Sequence, residues 1–178
     1  MPMALTEWNS GKDVTSGAAS ALIVAELISD YVKAGVEMAC FWPMRYPGGY
    51  SKRSLLEIPS NDPRPAYTAM KLFSSNMAAG SKLVKATLSN KSVLGCASLA
   101  ADDKHLAVFL INKGPAKEGA ETVVAVEGLS PGKARAITLA AADLKSEKVA
   151  ISEAPLSFKS GAVSLTLPPN SLTVIVCE

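Results

Sequence analysis

Glu7 closes the short apolar run Ala4-Leu5-Thr6 and is followed at once by Trp8 and Asn9. A carboxylate fixed at the end of a strand can act as a nucleophile. In retaining glycosidic chemistry one ionised carboxylate attacks the anomeric carbon, while a protonated carboxyl about 5 Å away donates to the leaving oxygen. Trp42 ends a second apolar run, Val36 to Phe41. A flat indole face suits the C–H face of a sugar ring, and its N–H can serve a hydroxyl. Arg45, Tyr46 and Tyr50 in the following loop offer further polar and stacking contacts. Each residue also has a plainer reading: Glu7 as a surface carboxylate, Trp42 as a core residue before proline, and the three loop residues as solvated side chains. Residue type alone leaves both open.

The elements that must hold these residues alternate. Ala4 to Trp8 reads as a strand ending in the polar loop Asn9 to Ser16, and a helix follows from about Gly17 to Ala34. In that helix Leu22, Ala25, Ile28 (or Ser29) and Val32 recur at helical spacing, and Gly35 stands at the C-terminal cap position. Val36 to Phe41 is mostly apolar, as buried parallel strands are. Trp42-Pro43 ends it, because proline cannot donate to a ladder. Met44 to Pro65 is a long Gly-, Pro-, Ser- and Asn-rich loop, of a length that is usually functional. Pro65 then opens a helix to about Met77, with Tyr67, Met70, Phe73 and Met77 as its apolar stripe. This βαβα order predicts parallel strands joined by crossover helices. In a (β/α)8 barrel the C-terminal strand ends form the pocket, which places Glu7 and Trp42 on that side.

The pattern changes near residue 80. About seven strands are expected: 82–88, 92–100, 104–112, 121–128, 133–141, a hairpin of 155–158 with 162–167, and 171–177. Val163, Leu165 and Leu167 alternate with Ser164 and Thr166, the period-two signature of a half-buried strand. Turn signals separate the runs, including Asp102-Asp103 and Pro168-Pro169-Asn170. The expected architecture is an α/β piece of a barrel over 1–79, followed by an all-β antiparallel sandwich over 80–178.

Composition sets limits on function. With 48% hydrophobic and 19% charged residues, the chain can bury a core. Its formal charge of +2, with no run of Lys or Arg, argues against nucleic acid or a polybasic membrane patch as partner. The apolar stretch from Ala18 to Trp42 is broken by Glu26, Asp30, Lys33 and Glu37, so no membrane span is expected. The first residues have neither a basic region nor an apolar one, so no signal peptide is expected. Cys40, Cys96 and Cys177 lie far apart without metal spacing and read as buried free thiols. No metal or cofactor is expected. His105, on a strand with Ala107, Phe109 and Ile111, is assigned no role.

Leu5-Thr6-Glu7-Trp8-Asn9 resembles the seventh-strand nucleophile motif of glycoside hydrolase clan A, especially the α-L-arabinofuranosidases and neighbouring families. Phe41-Trp42-Pro43 resembles the end of the eighth strand, and Pro63 to Phe73 the final barrel helix. Leu106 to Lys113 and Leu167 to Val174 are similar to the clan's C-terminal sandwich. The resemblance covers nearly the whole chain. It implies strands 7 and 8 of the barrel with their helices, a retaining mechanism on plant-type poly- or oligosaccharides, and Glu7 as nucleophile. It further implies Trp42 as the platform under the reacting sugar, with Trp8 and Asn9 in support. The clan's acid/base, a Glu after Asn on the fourth strand, has no counterpart, so the isolated chain is expected to be inactive. Two strands cannot close a barrel, so self-association through 1–77 or packing on a missing N-terminal barrel portion is expected. The competing reading is a non-catalytic sandwich with a structural or oligomerisation role. Sugar stacking by the sandwich itself is poorly supported, since Phe109 and Phe158 are its only aromatic residues.

Overall fold

A computed structural model describes residues 3–10, 16–114, 119–126 and 133–177, with the side chains of 49–51 outside the described set. Strand β1 (Met3–Trp8) leads to helix α1 (Gly17–Lys33) and strand β2 (Val36–Phe41). A 3-10 turn (Gly48–Arg53) and helix α2 (Pro65–Asn76) complete the first part. β1 and β2 pair in parallel as a two-stranded sheet, the crossover arrangement expected of β-helix-β order. Gly35 ends α1 in the left-handed region at φ +74°, and Pro65 stands in the first turn of α2.

Nine strands follow: β3 (Lys82–Val84), β4 (Ala86–Leu88), β5 (Val93–Leu99), β6 (Leu106–Asn112), β7 (Ala120–Val126), β8 (Lys133–Ala140), β9 (Ala150–Ser157), β10 (Ala162–Leu167) and β11 (Ser171–Cys177). They form a six-stranded sheet in the order β3-β5-β6-β11-β8-β9 and a three-stranded sheet β10-β7-β4, all antiparallel.

Two expectations are corrected here. The run 82–88 is two strands, because the chain switches sheets at Lys85: β3 pairs with β5 and β4 with β7. The expected hairpin of 155–158 with 162–167 does not form. β9 begins at Ala150 and pairs with β8, while β10 pairs with β7 in the other sheet. Pro155 is tolerated in β9 because that strand lies at a sheet edge. The end of the expected strand 121–128 lies outside the described residues, as does a further turn signal in the sequence, Ser130-Pro131-Gly132.

The large sheet has a core on each face. One joins Cys96, Phe109, Ile111, Leu139, Leu172 and Val174 to Leu22, Ala25, Ala69 and Phe73 of the helices. Phe73 stacks on Phe109 with ring centroids 4.1 Å apart and 7° between planes, which fixes α2 on the sheet. The other core lies between the sheets, around Val108, Leu110, Val124, Leu167 and Ile175. The helices thus form a layer on the large sheet, and the β1–β2 pair packs on α1 through Trp8 against Tyr31. Cys96 and Cys177 are buried, and burial raises both thiols, Cys177 to about 11. Cys40 is exposed, contrary to expectation, because β2 has no layer over the side that carries it.

Candidate functional site

β1 and β2 end side by side, since Trp8 is the register partner of Phe41 and the Trp42 amide donates to the Trp8 carbonyl at 3.0 Å. Glu7 and Trp42 therefore sit at the same ends of neighbouring strands. Trp8 is buried, its ring edge-on to Tyr31 of α1 at 5.2 Å and to Phe41 at 5.0 Å. Successive side chains on a strand point to opposite faces, so Glu7 projects away from the helices, and it is exposed. Trp8, expected in support, anchors the strand end from behind through these ring contacts.

Asn9 was expected only to support, and its geometry says how. Its side-chain amide donates to the Trp42 carbonyl and to the Arg53 carbonyl, the latter at 3.1 Å. Its Oδ1 accepts from the Ser10 amide at 2.6 Å. One side chain thus ties the end of β1 to the end of β2 and to the 3-10 turn. Trp42 and Tyr46 come together with ring centroids 5.3 Å apart, each 37% exposed. Arg45 is exposed between them in sequence. Tyr50 lies in the 3-10 turn, and its side chain is outside the described set.

The loop after β2 is built as a small ladder. The Leu55 amide donates to the Pro43 carbonyl (3.2 Å), Leu56 to Met44 (3.0 Å) and Arg64 to Leu55 (2.9 Å). Sequence reading treated Arg64 only as part of the final helix motif. Its side chain is 13% exposed and lies 3.6 Å from Glu57 and 3.4 Å from Glu147, the latter in the turn after β8. No sequence spacing connects positions 64 and 147, so this contact had no signal to be read.

Exposed apolar side chains gather on the β1–β2 pair and its loop: Met3 at 49%, Met38 at 51% and Met44 at 61%. Among the described residues no group of three His, Cys, Asp or Glu could hold a metal, and no helix is long and apolar enough to cross a membrane. His105 lies exposed in a turn, its Nδ1 2.7 Å from Asp102, whose carboxyl is held below its usual range by the Lys104 amide and by His105.

This arrangement of a helix layer, two antiparallel sheets and a parallel strand pair recurs in solved structures of other proteins. The chain superposes over 99% of its length on a glycoside hydrolase family 30 subfamily 8 xylanase from Clostridium acetobutylicum, with TM-score 0.79 and 18% identity, spanning 42% of that chain. An α-L-arabinofuranosidase from Thermotoga maritima matches over 99% with TM-score 0.78 and 18% identity, spanning 43% of that chain. A bifunctional glucanase-xylanase from a metagenome library reaches 24% identity at TM-score 0.72, spanning 31% of that chain. The chain therefore covers less than half the length of each structure. No protein-family model matches the sequence, and no curated protein does.

Proposed function

We propose that this chain is the C-terminal part of a retaining glycoside hydrolase acting on plant-type poly- or oligosaccharides. In this reading 1–79 supplies strands 7 and 8 of a (β/α)8 barrel with their helices, and 80–178 is the bracing sandwich. The observation that carries it is the pair of parallel strand ends, with Glu7 on one, Trp42 on the other and Asn9 holding them together. The likeness over 99% of the chain to a xylanase and an arabinofuranosidase supports the same class.

Glu7 is the nucleophile, attacking the anomeric carbon from the open face of β1. Trp42, backed by Tyr46, offers its ring to the reacting sugar, and the loop that carries Arg45 and Tyr50 forms the rim. Asn9 fixes the spacing of the two strand ends, and Trp8 holds β1 from the helix side. The protonated partner carboxyl would come from a barrel strand that this chain does not carry. Loss of proton donation alone costs about 10²–10⁴-fold in rate, and loss of the remaining walls removes positioning and electrostatic stabilisation as well. The isolated chain is therefore inactive.

The test has two arms. The isolated chain is assayed on aryl arabinofuranosides, aryl xylosides and xylan, where turnover abolished by Glu7→Gln would refute the missing-partner reading. The chain is then assayed joined to the polypeptide encoded upstream. Turnover there should appear and be lost in Glu7→Gln, whereas activity indifferent to that change would remove Glu7 from the chemistry. The exposed methionines on β1 and β2 favour packing against that upstream portion; without it they favour self-association, visible as a mass that rises with concentration in light scattering.

A further inference from the structure

We infer that the turn between β8 and β9, residues 141–149, is the anchor of the proposed site, and that Arg64 and Glu147 are positioning residues for Trp42. The inference rests on the site reading above and extends it into the sandwich. Two segments of chain leave the C-terminal ends of β1 and β2, and this one turn holds both.

The first hold is on α1. Its cap residue Ser16 makes no side-chain bond to the helix. The amides of Ala18 and Ala19 donate instead to the carbonyls of Ser146 and Leu144, both at 2.9 Å. These are first-turn amides that the helix itself cannot satisfy. Gly17, at φ +69°, permits the approach: a Cβ there would stand 2.8 Å from the Leu144 oxygen. The second hold is on the rim loop. Glu147 takes the nearly buried Arg64 guanidinium, which also faces Glu57. From Arg64 the ladder runs through Leu55 to Pro43, next to Trp42, and Trp42 is tied to Asn9.

The turn is stiff enough to serve as an anchor. The Lys145 amide donates to the Asp143 carboxylate at 2.7 Å, and the Ser146 hydroxyl donates to the Lys148 carbonyl at 2.6 Å. The Arg64 Nε is buried without an acceptor among the described residues, so the guanidinium depends on its two carboxylates. Both carboxylates meet the same nitrogen, Nη1, so the guanidinium is clamped between two charges, and Glu147 accepts the one hydrogen bond its side chain makes among the described residues.

The experiment uses the full chain labelled with fluorotryptophan, whose two ¹⁹F resonances are assigned with Trp42→Phe. Glu147→Gln removes one carboxylate charge at a partly exposed position, and Lys145→Gln is the control in the same turn. Under the inference Glu147→Gln moves or broadens the Trp42 resonance and leaves that of Trp8 in place. It also speeds amide exchange at Leu55, Leu56 and Arg64 by about fivefold, the scale of one weakened charge-assisted bond, and Lys145→Gln does neither. An unmoved Trp42 resonance overturns it. So does a shift of both tryptophans with a uniform rise in exchange, which marks general loosening. Neither readout depends on catalysis, so failure here is distinct from failure of the glycosidase assay.

Discussion

Gly17 and Gly35 make a matched pair for measuring what the sandwich turn does to the first helix. Both have positive φ, +69° and +74°. An added Cβ at Gly35 meets nothing within 4 Å, whereas at Gly17 it meets the Leu144 oxygen at 2.8 Å and the Lys145 carbonyl at 2.9 Å. In both, Ala costs about 1–2 kcal/mol for the left-handed backbone, offset by about 0.5–1 kcal/mol from a stiffer unfolded chain. Gly35→Ala should therefore destabilise by about 1 kcal/mol. At Gly17 the obstructing atoms are backbone, so the turn must retreat. That weakens the two bonds from Ala18 and Ala19, worth about 1 kcal/mol each. Gly17→Ala should cost about 3 kcal/mol, roughly 2 more than its counterpart. Urea unfolding gives both numbers from the shift in midpoint at constant slope. If the two variants agree within about 0.5 kcal/mol, the turn is not bearing on the helix and the anchor argument fails.

Two further outcomes concern the thiols. In the native protein a thiol reagent should modify Cys40 rapidly and leave Cys96 and Cys177 until the chain unfolds, since only Cys40 is exposed; equal rates at all three would refute the burial assignment. Cys177 should also give stability a pH dependence. Burial raises its folded value to about 11, against an ordinary value of 9.0. The unfolded thiol ionises first, so this contribution is complete below pH 9, is lost as pH rises to about 11, and is flat beyond. The loss is about 3 kcal/mol at most. Unfolding curves of the native chain and of Cys177→Ala should converge over that window, and parallel curves would contradict the argument.

The first part of the chain was legible because its signals are local. Gly35, Pro65 and the helical spacing of apolar residues each act within a turn or two, and the structure places the helix ends within a residue of expectation. The strand-end position of Glu7, Trp8 and Asn9 was readable for the same reason. What escaped depends on residues distant in sequence. β9 reads Ala-Ile-Ser-Glu-Ala-Pro-Leu-Ser, with too little apolar character for an edge strand to announce itself, so its partner was misassigned. The run 82–88 looks continuous because nothing in its composition marks the crossing at Lys85. Cys40 was expected inside because apolar neighbours predict burial, yet burial also needs something to cover them. The Arg64–Glu147 contact and the tie from Asn9 to Trp42 join segments that only the fold brings together.

The three-stranded sheet has a topological property with a kinetic consequence. None of β4, β7 and β10 follows another along the chain, and each arrives from the large sheet and returns to it. No hairpin within that sheet can seed it. It behaves as a clasp that fastens only when the strands feeding it are already in register. Its late closure makes the sandwich slow to assemble. The large sheet holds the pairings between chain neighbours, β5 with β6 and β8 with β9, and can begin to form before the clasp closes.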